Sequence, residues 1–404
     1  MKLSKSPKRY IAGTHRAIPP DETLKIANAM RSGAGITRVA DITGLDRIGI
    51  PIFTSIRPAA ATGAVTVYTG KGFTEEEAQV SAIMEGIERF SAEPDCKKII
   101  TASFSELKKK ERALDPMDLI IPPMRAFIRD ETIEWVEGFS IVNFKDIYVP
   151  AEAVFHPYSR KNQLFRTNTN GLAVGNSKEE AIFHAMMEVI ERDAWSLFEA
   201  GKIRGRDLDL SPEALGGFQM VKTLVTKMET SGIKVCSKDI TSDTGIPTVA
   251  VAIDDELTRD PALLALGVGT HLMPEVAAVR ALTEAAQSRL TTIHGTREDT
   301  LKAEFARRIG YERMKRINKK WFEPSGDSVP LSQLNSYVSS DFTDDIRYTL
   351  KKLKGAALNE VIVVDLTREG IGVPAVRVII PGMEVYALDK ERAGKRLMNY
   401  RERA

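Results

Sequence analysis

Residues Gly72 to Arg89 read GFTEEEAQVSAIMEGIER, and 103 residues later Gly175 to Arg192 read GNSKEEAIFHAMMEVIER. The shift superimposes Gly72 on Gly175, Glu77 on Glu180, Ala78 on Ala181, Glu85 on Glu188, Glu88 on Glu191 and Arg89 on Arg192. A third stretch, Pro274 to Arg289 (PEVAAVRALTEAAQSR), follows the same outline more loosely, with Glu284 in the place of Glu85 and Gln287 in that of Glu88. A period this long does not suit a solenoid, whose units repeat every 20–50 residues or so. Duplicated αβ units sharing one core are the economical reading, at roughly 60–95, 165–200 and 262–295.

β-branched runs between these helical patterns predict strands near 64–68, 246–252, 361–365 and 373–380, and the helices are expected to begin near Thr74, Ser177 and Pro274. Strands mixed with helices indicate an α/β or α+β layered fold. The chain has 404 residues, 43% of them hydrophobic, a length that suits two or three domains or one large α/β unit; no Gly/Ser-rich linker separates the repeat units, and a single domain over 1–404 is the reading adopted. The charged stretch 296–354 stays open as an appended helical insertion. Within it, Tyr311 to Trp321 is either a solvated helix or a docking surface.

Lys and Arg total 57 against 55 Asp and Glu, with no long block of one sign, which argues against a nucleic-acid partner. No run approaches the roughly 18 apolar residues of a membrane span, and the first residues have no apolar signal core. Cys96 and Cys236 are the two cysteines and form no CxxC pair, so a reducing cytoplasm is expected.

Ser81, Glu85 and Glu88 fall at i, i+4 and i+7, on one face of a helix, and His184, Glu188 and Glu191 repeat that spacing. Apolar neighbours such as Ala82, Ile83, Ile87, Met186 and Ile190 flank the stripe. Carboxylates beside apolar surface need a compensating cation, and hard oxygen ligands suit Mg²⁺ that takes its other ligands from water and phosphate. The alternative is that each Glu is a helix-surface residue paired with Arg89 or Arg192. Thr74 with Glu77 and Ser177 with Glu180 both fit a capping box. Asn176 either caps its helix or touches a ligand. Arg280, Glu284 and Gln287 share a face of the third helix, where Arg280 either neutralises phosphate or pairs with Glu284. No P-loop, GxSxG or HExxH occurs, and His15, His156, His184, His271 and His294 lack metal-ligand spacing.

Gly70-Lys71-Gly72 with Ser81, Glu85, Glu88 and Arg89, Asn170-Gly171 through Gly175-Asn176 with Glu180, Glu188, Glu191, Arg192 and Asp193, Arg280 with Glu284 and Gln287, and Val373-Pro374 through Arg377 to Pro381-Gly382 occur in order. In this the chain resembles the YcaO family over its whole length. The resemblance implies a YcaO-like fold around a central site for ATP and Mg²⁺. Glu85, Glu88, Glu188 and Glu191 would be metal carboxylates, and Arg16, Thr23, Ser81, Asn176, Glu180, Arg192, Arg280 and Glu284 would contact the nucleotide or its metals. Glu85, Glu188 and Arg280 would carry the catalysis. The reaction implied is phosphorylation of a peptide-backbone amide oxygen.

The chain ends LMNYRERA instead of in the Pro-x-Pro-x-Pro tail of azoline-forming members, and Gly13-Thr14-His15-Arg16-Ala17 opens it. It looks like the TfuA-associated branch, including archaeal proteins that install thioglycine in methyl-coenzyme M reductase. That implies sulfide attack giving a thioamide, a protein substrate such as the α subunit of that reductase, a TfuA-like partner or sulfide donor, and a homodimer. An azoline-forming cyclodehydratase and a non-catalytic ATP-binding scaffold are the alternatives. Neither cysteine is expected to take part.

Overall fold

The computed structural model describes residues 1–94, 97–295 and 301–400. Its principal helices are α1 (Pro20–Met30), α2 (Glu75–Ser91), α3 (Lys178–Glu199), α4 (Pro274–His294), α5 (Leu301–Ile309), α6 (Tyr311–Ile317) and α7 (Phe342–Gly355). Helix α2 starts where its first free amides find partners: the Thr74 hydroxyl accepts from Glu77 N at 3.3 Å and the Glu77 carboxylate accepts from Thr74 N at 3.4 Å. Helix α3 starts on Ser177, which accepts from Glu180 N at 3.1 Å, and α4 on Pro274, which has no N–H to leave unpaired.

Each of these three helices lies directly on the strand before it, and in the first and third copies a strand glycine makes that approach possible. A Cβ on Gly70 would sit 1.9 Å from Ala82 N, and one on Gly269 2.1 Å from Ala277 O. Gly70 against Ala78 and Ala82 thus recurs as Gly269 against Ala277 and Ala281, which sets the register of the third copy. In that register Arg280 stands where the first copy has Ser81, Glu284 where it has Glu85, and Gln287 where it has Glu88.

The three strands belong to three different sheets, and each is an edge strand. Val67–Lys71 borders a sheet with Arg38–Asp41 and Ile52–Ile56. Ala265–Thr270 borders the five-stranded sheet that continues through Thr248–Asp254, Lys234–Asp239, Arg206–Asp209 and Ser328–Pro330. Leu172–Val174 borders the six-stranded sheet that runs through Ala375–Ile379, Ile362–Asp365, Thr132–Ser140 and Ile99–Ser103, with Lys145–Pro150 beside Thr132–Ser140. Helices and strands mix as expected. Two predicted strands are shortened by their prolines: Pro247 and Pro374 lack the ladder donor and lie just outside Thr248–Asp254 and Ala375–Ile379. The first begins later than its β-branched run suggests, since pairing with Ile52–Ile56 starts at Val67.

The segment left open as an insertion divides in two. Helices α5 and α6 cover one side near Pro261–Leu263, but Ser328–Pro330 pairs parallel with Arg206–Asp209, and α7 buries Phe342, Ile346 and Leu353 in the core around α3. Beyond α6 the sequence is therefore part of the main body. Residues 296–300 lie outside the described residues. Among those described, no helix is long and apolar enough to cross a membrane.

Candidate active site

The three motif helices turn their polar stripes into one cavity of about 790 Å³. Ser81, Glu85, Glu88 and Arg89 enter from α2; Glu180, His184, Glu188, Glu191 and Arg192, with Asn176 just before them, from α3; Arg280, Glu284 and Gln287 from α4. Arg16 and Thr23, on the N-terminal segment and α1, close another side. Every residue singled out from the sequence for metal or nucleotide contact lines this one space. It is walled further by Lys302 and Ala306 of α5 and by Met314 of α6.

Acids and bases alternate around the wall. Arg89 donates to Glu85 at 3.1 Å and lies 3.7 Å from Glu88, Arg192 lies 3.8 Å from Glu191, and Lys71 donates to Glu284 at 2.8 Å. Burial pushes the Glu88 carboxyl up to about 8; Arg89 opposes this and Glu188 adds to it. Glu188 is raised by burial, as is Glu191, on which Glu284 acts too. Burial also acts on Glu284, but Lys71, Arg192 and Arg280 outweigh it and hold that carboxyl below its usual range. Glu191 has one oxygen committed, accepting from Thr270 N at 3.0 Å. His184 is half-buried, and its desolvation together with the Arg16 and Arg280 charges keeps it neutral.

The two caps differ. Glu77 completes its box and also accepts from Tyr10 Oη at 2.9 Å. Glu180 does not reach back to Ser177; its carboxylate accepts from Ala17 N at 2.9 Å and faces Arg16 at 3.4 Å, tying the N-terminal segment to α3. The capping box expected at Ser177 is therefore half formed, because the incoming chain offers that carboxylate a better-placed donor. Tyr311 and Lys315 are not free for docking: Tyr311 Oη donates to Asp254 at 2.7 Å, Lys315 pairs with Asp254 at 2.6 Å, and Trp321 is buried against Phe198.

Arg89 Nη1, Arg192 Nε and Arg280 Nε are buried without a hydrogen-bond partner among the described residues, three donors suited to an anion. No three His, Cys, Asp or Glu of those residues converge as a ready-made metal cage. Mg²⁺ keeps waters and is held by one or two carboxylates plus phosphate oxygens, ligands that these side chains and a polyphosphate can supply. The donor set therefore fits Mg²⁺ on a polyphosphate.

Lys71 and Arg89 belong to the motifs but are not picked out as site residues by the sequence alone, and neither is His184, whose ring contacts Arg16. For Lys71 a signal existed in its place between Gly70 and Gly72, at the end of a strand that faces a helix.

A family model described as YcaO cyclodehydratase, ATP- and Mg²⁺-binding, matches residues 69–384. The chain belongs to the YcaO family. A protein from Methanothermobacter thermautotrophicus is 49% identical over 385 residues, covering 95% of this chain and 98% of the relative. A Rhizobium leguminosarum bv. trifolii protein, described by its place in the tfuA 3' region, is 30% identical over 382 residues, 92% of this chain and 89% of its own. YcaO from Methanopyrus kandleri, solved with AMPPCP and Mg²⁺, superposes with a TM-score of 0.79 at 28% identity, over 96% of this chain and 98% of that one. A heterocyclase solved with substrate and cofactor shares the fold, with a TM-score of 0.86 at 22% identity over 99% of this chain and 56% of its own. This YcaO protein belongs with the TfuA-associated archaeal branch, and its cofactors are ATP and Mg²⁺.

Proposed function

We propose that this YcaO protein uses ATP to phosphorylate a peptide-backbone amide oxygen and that sulfide then replaces the phosphate, leaving a thioamide. The observation that carries the reading is the cavity itself, where carboxylates of α2 and α3 face unpartnered guanidinium nitrogens of Arg89, Arg192 and Arg280. Arg280 and Arg192 are assigned to the phosphates, where fixed positive charge matters most as the γ-phosphoryl group moves. Mg²⁺ would neutralise the remaining phosphate charge, held by Glu85, Glu88, Glu188 and Glu191. Ser81, Asn176, Glu180, Glu284, Arg16 and Thr23 are assigned to the nucleotide or its metals. Glu85, Glu188 and Arg280 would act on the transferring group. The bond from amide oxygen to γ-phosphorus forms as ADP leaves; the sulfur–carbon bond then forms as phosphate departs.

The relative from the tfuA 3' region supports a TfuA-like partner as the route by which sulfide arrives. The acceptor proposed is a glycine of the methyl-coenzyme M reductase α subunit, on the family resemblance, and the assembly proposed is a homodimer. The whole chain is taken as one working unit, since Arg16 and Thr23 lie before the residues matched by the family model yet line the cavity.

The family's description as a cyclodehydratase favours a second reading, azoline formation. A mass spectrum of a glycine-containing reductase peptide, incubated with protein, ATP, Mg²⁺, sulfide and partner, separates the two. Sulfur for oxygen raises the mass and loss of water lowers it. An unmodified peptide with no peptide-dependent ATP turnover would mark a scaffold and overturn both.

A further inference from the structure

A second, smaller cavity, of about 60 Å³, shares no lining residue with the first. Val189, the residue after Glu188, forms part of its lining, together with Asn168, Asn170, Phe165, Arg377 and Arg392. Asn170 and Arg377 belong to the motifs that identify the family, yet neither lines the nucleotide cavity.

Both arginines are buried, Arg377 at 5% and Arg392 at 4% exposure, and neither is in an ion pair among the described residues. Arg377 donates to Asn168 O at 2.9 Å and Asn168 Oδ1 at 3.3 Å, leaving its Nε without a partner. Arg392 donates to Leu119 O at 2.6 Å and Ile120 O at 2.9 Å and lies 4.0 Å over the Phe165 ring. Nearby Glu152 does not neutralise them, because its carboxylate is bound by Arg160 and by Leu164 N at 2.6 Å. Asp118, also on the lining, is an exposed residue at the rim. Glu188 and Glu88 act on Arg377 and Asp389 on Arg392 only from beyond ion-pair distance, so two buried guanidiniums line one small space without a carboxylate directly paired to either, an arrangement that an anion between them would relieve. Burial is the largest cause that pulls each down to about 10; Arg89 and Arg392 add to it at Arg377, while nearby carboxylates oppose it at both.

We propose that this second cavity is a binding site for a small inorganic anion, held by Arg377 and Arg392. A water needs about 10–15 Å³ of such space, so the cavity takes about four to six water-sized groups. Orthophosphate or hydrosulfide fits, whereas a nucleotide or a peptide side chain with its backbone does not. Beyond burial, the strongest charges acting on Arg377 are Glu188, Arg89 and Glu88, all of which line the first cavity. Naming the anion as departing phosphate or arriving hydrosulfide rests on the function proposed above; the existence of the site does not.

The test uses the full chain with Mg²⁺ and AMPPCP filling the nucleotide site, and inorganic phosphate as the probe, followed by phosphorus NMR line broadening. Wild type should show saturable broadening. Arg392→Met should weaken phosphate at least tenfold and Arg392→Lys by much less, with AMPPCP affinity within twofold of wild type in both. If Arg392→Met does not fold, Arg377→Gln supplies the same comparison. Hydrosulfide that displaces phosphate where equal chloride does not assigns the site to the incoming nucleophile as well; phosphate binding that hydrosulfide leaves untouched assigns it to the product alone. No saturable broadening in wild type, or equal broadening in folded Arg392→Met and Arg377→Gln, overturns the site. Failure to form a thioamide would sink the functional reading without changing this phosphate measurement.

Discussion

Lys71 and Glu284 are 213 residues apart and meet at 2.8 Å, so the end of the first repeat's strand is bonded to the helix of the third. Both side chains are about four-fifths buried, at 20% and 18% exposure. Lys71→Met would leave Glu284 among other carboxylates with only Arg192 and Arg280 to hold its charge. The expected outcome is a stability loss of about 1–3 kcal/mol in a urea titration, with weaker Mg²⁺–ATP binding. An unchanged urea midpoint would show that the pair carries no net stability.

Removing one carboxylate from either facing helix should weaken nucleotide binding without unfolding the chain. Glu85→Gln and Glu188→Gln keep side-chain shape and lose one charge, and each is expected to reduce Mg²⁺–ATP affinity at least tenfold, about 1.4 kcal/mol. Calorimetry with and without Mg²⁺ measures it. Full affinity in both variants would return these residues to a purely structural role.

The raised carboxyls give the free protein an unusual pH dependence. Glu88 holds its proton up to about 8, well above its unfolded value, and Glu188 is raised as well. Between the unfolded and folded values the native chain binds more protons than the unfolded one, so stability falls as pH rises through that window. Metal binding needs the ionised forms, so Mg²⁺–ATP affinity should rise from pH 6 to 8 with release of protons. Calorimetry in two buffers of different ionisation enthalpy reads that release directly. No difference between the buffers would contradict the buried, protonated state of Glu88.

Cys236 should be dispensable for chemistry. It is half-buried on Lys234–Asp239, its thiol points to Phe322 O at 3.7 Å, and burial pushes the thiol up, away from the reactive thiolate. Cys96 lies outside the described residues. A Cys96→Ala, Cys236→Ala double variant should match wild type in a mass-spectrometric assay with ATP, Mg²⁺, peptide, sulfide and partner. A folded double variant without product would require a persulfide relay through the protein.

What could be read from the sequence was what repeats along a helix. The starts at Thr74, Ser177 and Pro274, and the stripes through Glu85, Glu188 and Glu284, follow from local spacing and capping. Lys71 with Glu284, Glu180 with Ala17 N, and Glu191 with Thr270 N were not legible, because each joins segments that only the folded chain brings together. The same holds for Ser328–Pro330, whose three residues carry little strand signal until Arg206–Asp209 offers an edge.

Three copies of one strand-and-helix unit would by themselves give the cavity three like walls. The third copy breaks that equivalence, because Arg280 and Gln287 stand where the first has Ser81 and Glu88, and Gln287 is tied to Thr69 Oγ1 at 3.1 Å on the first copy's strand. Each copy brings a guanidinium and at least one carboxylate to the cavity, but the third has one carboxylate where the others have two, and an arginine where they have Ser81 and His184. Under the function proposed above, that asymmetry would give a polyphosphate one preferred way round, set by the chain before any peptide arrives.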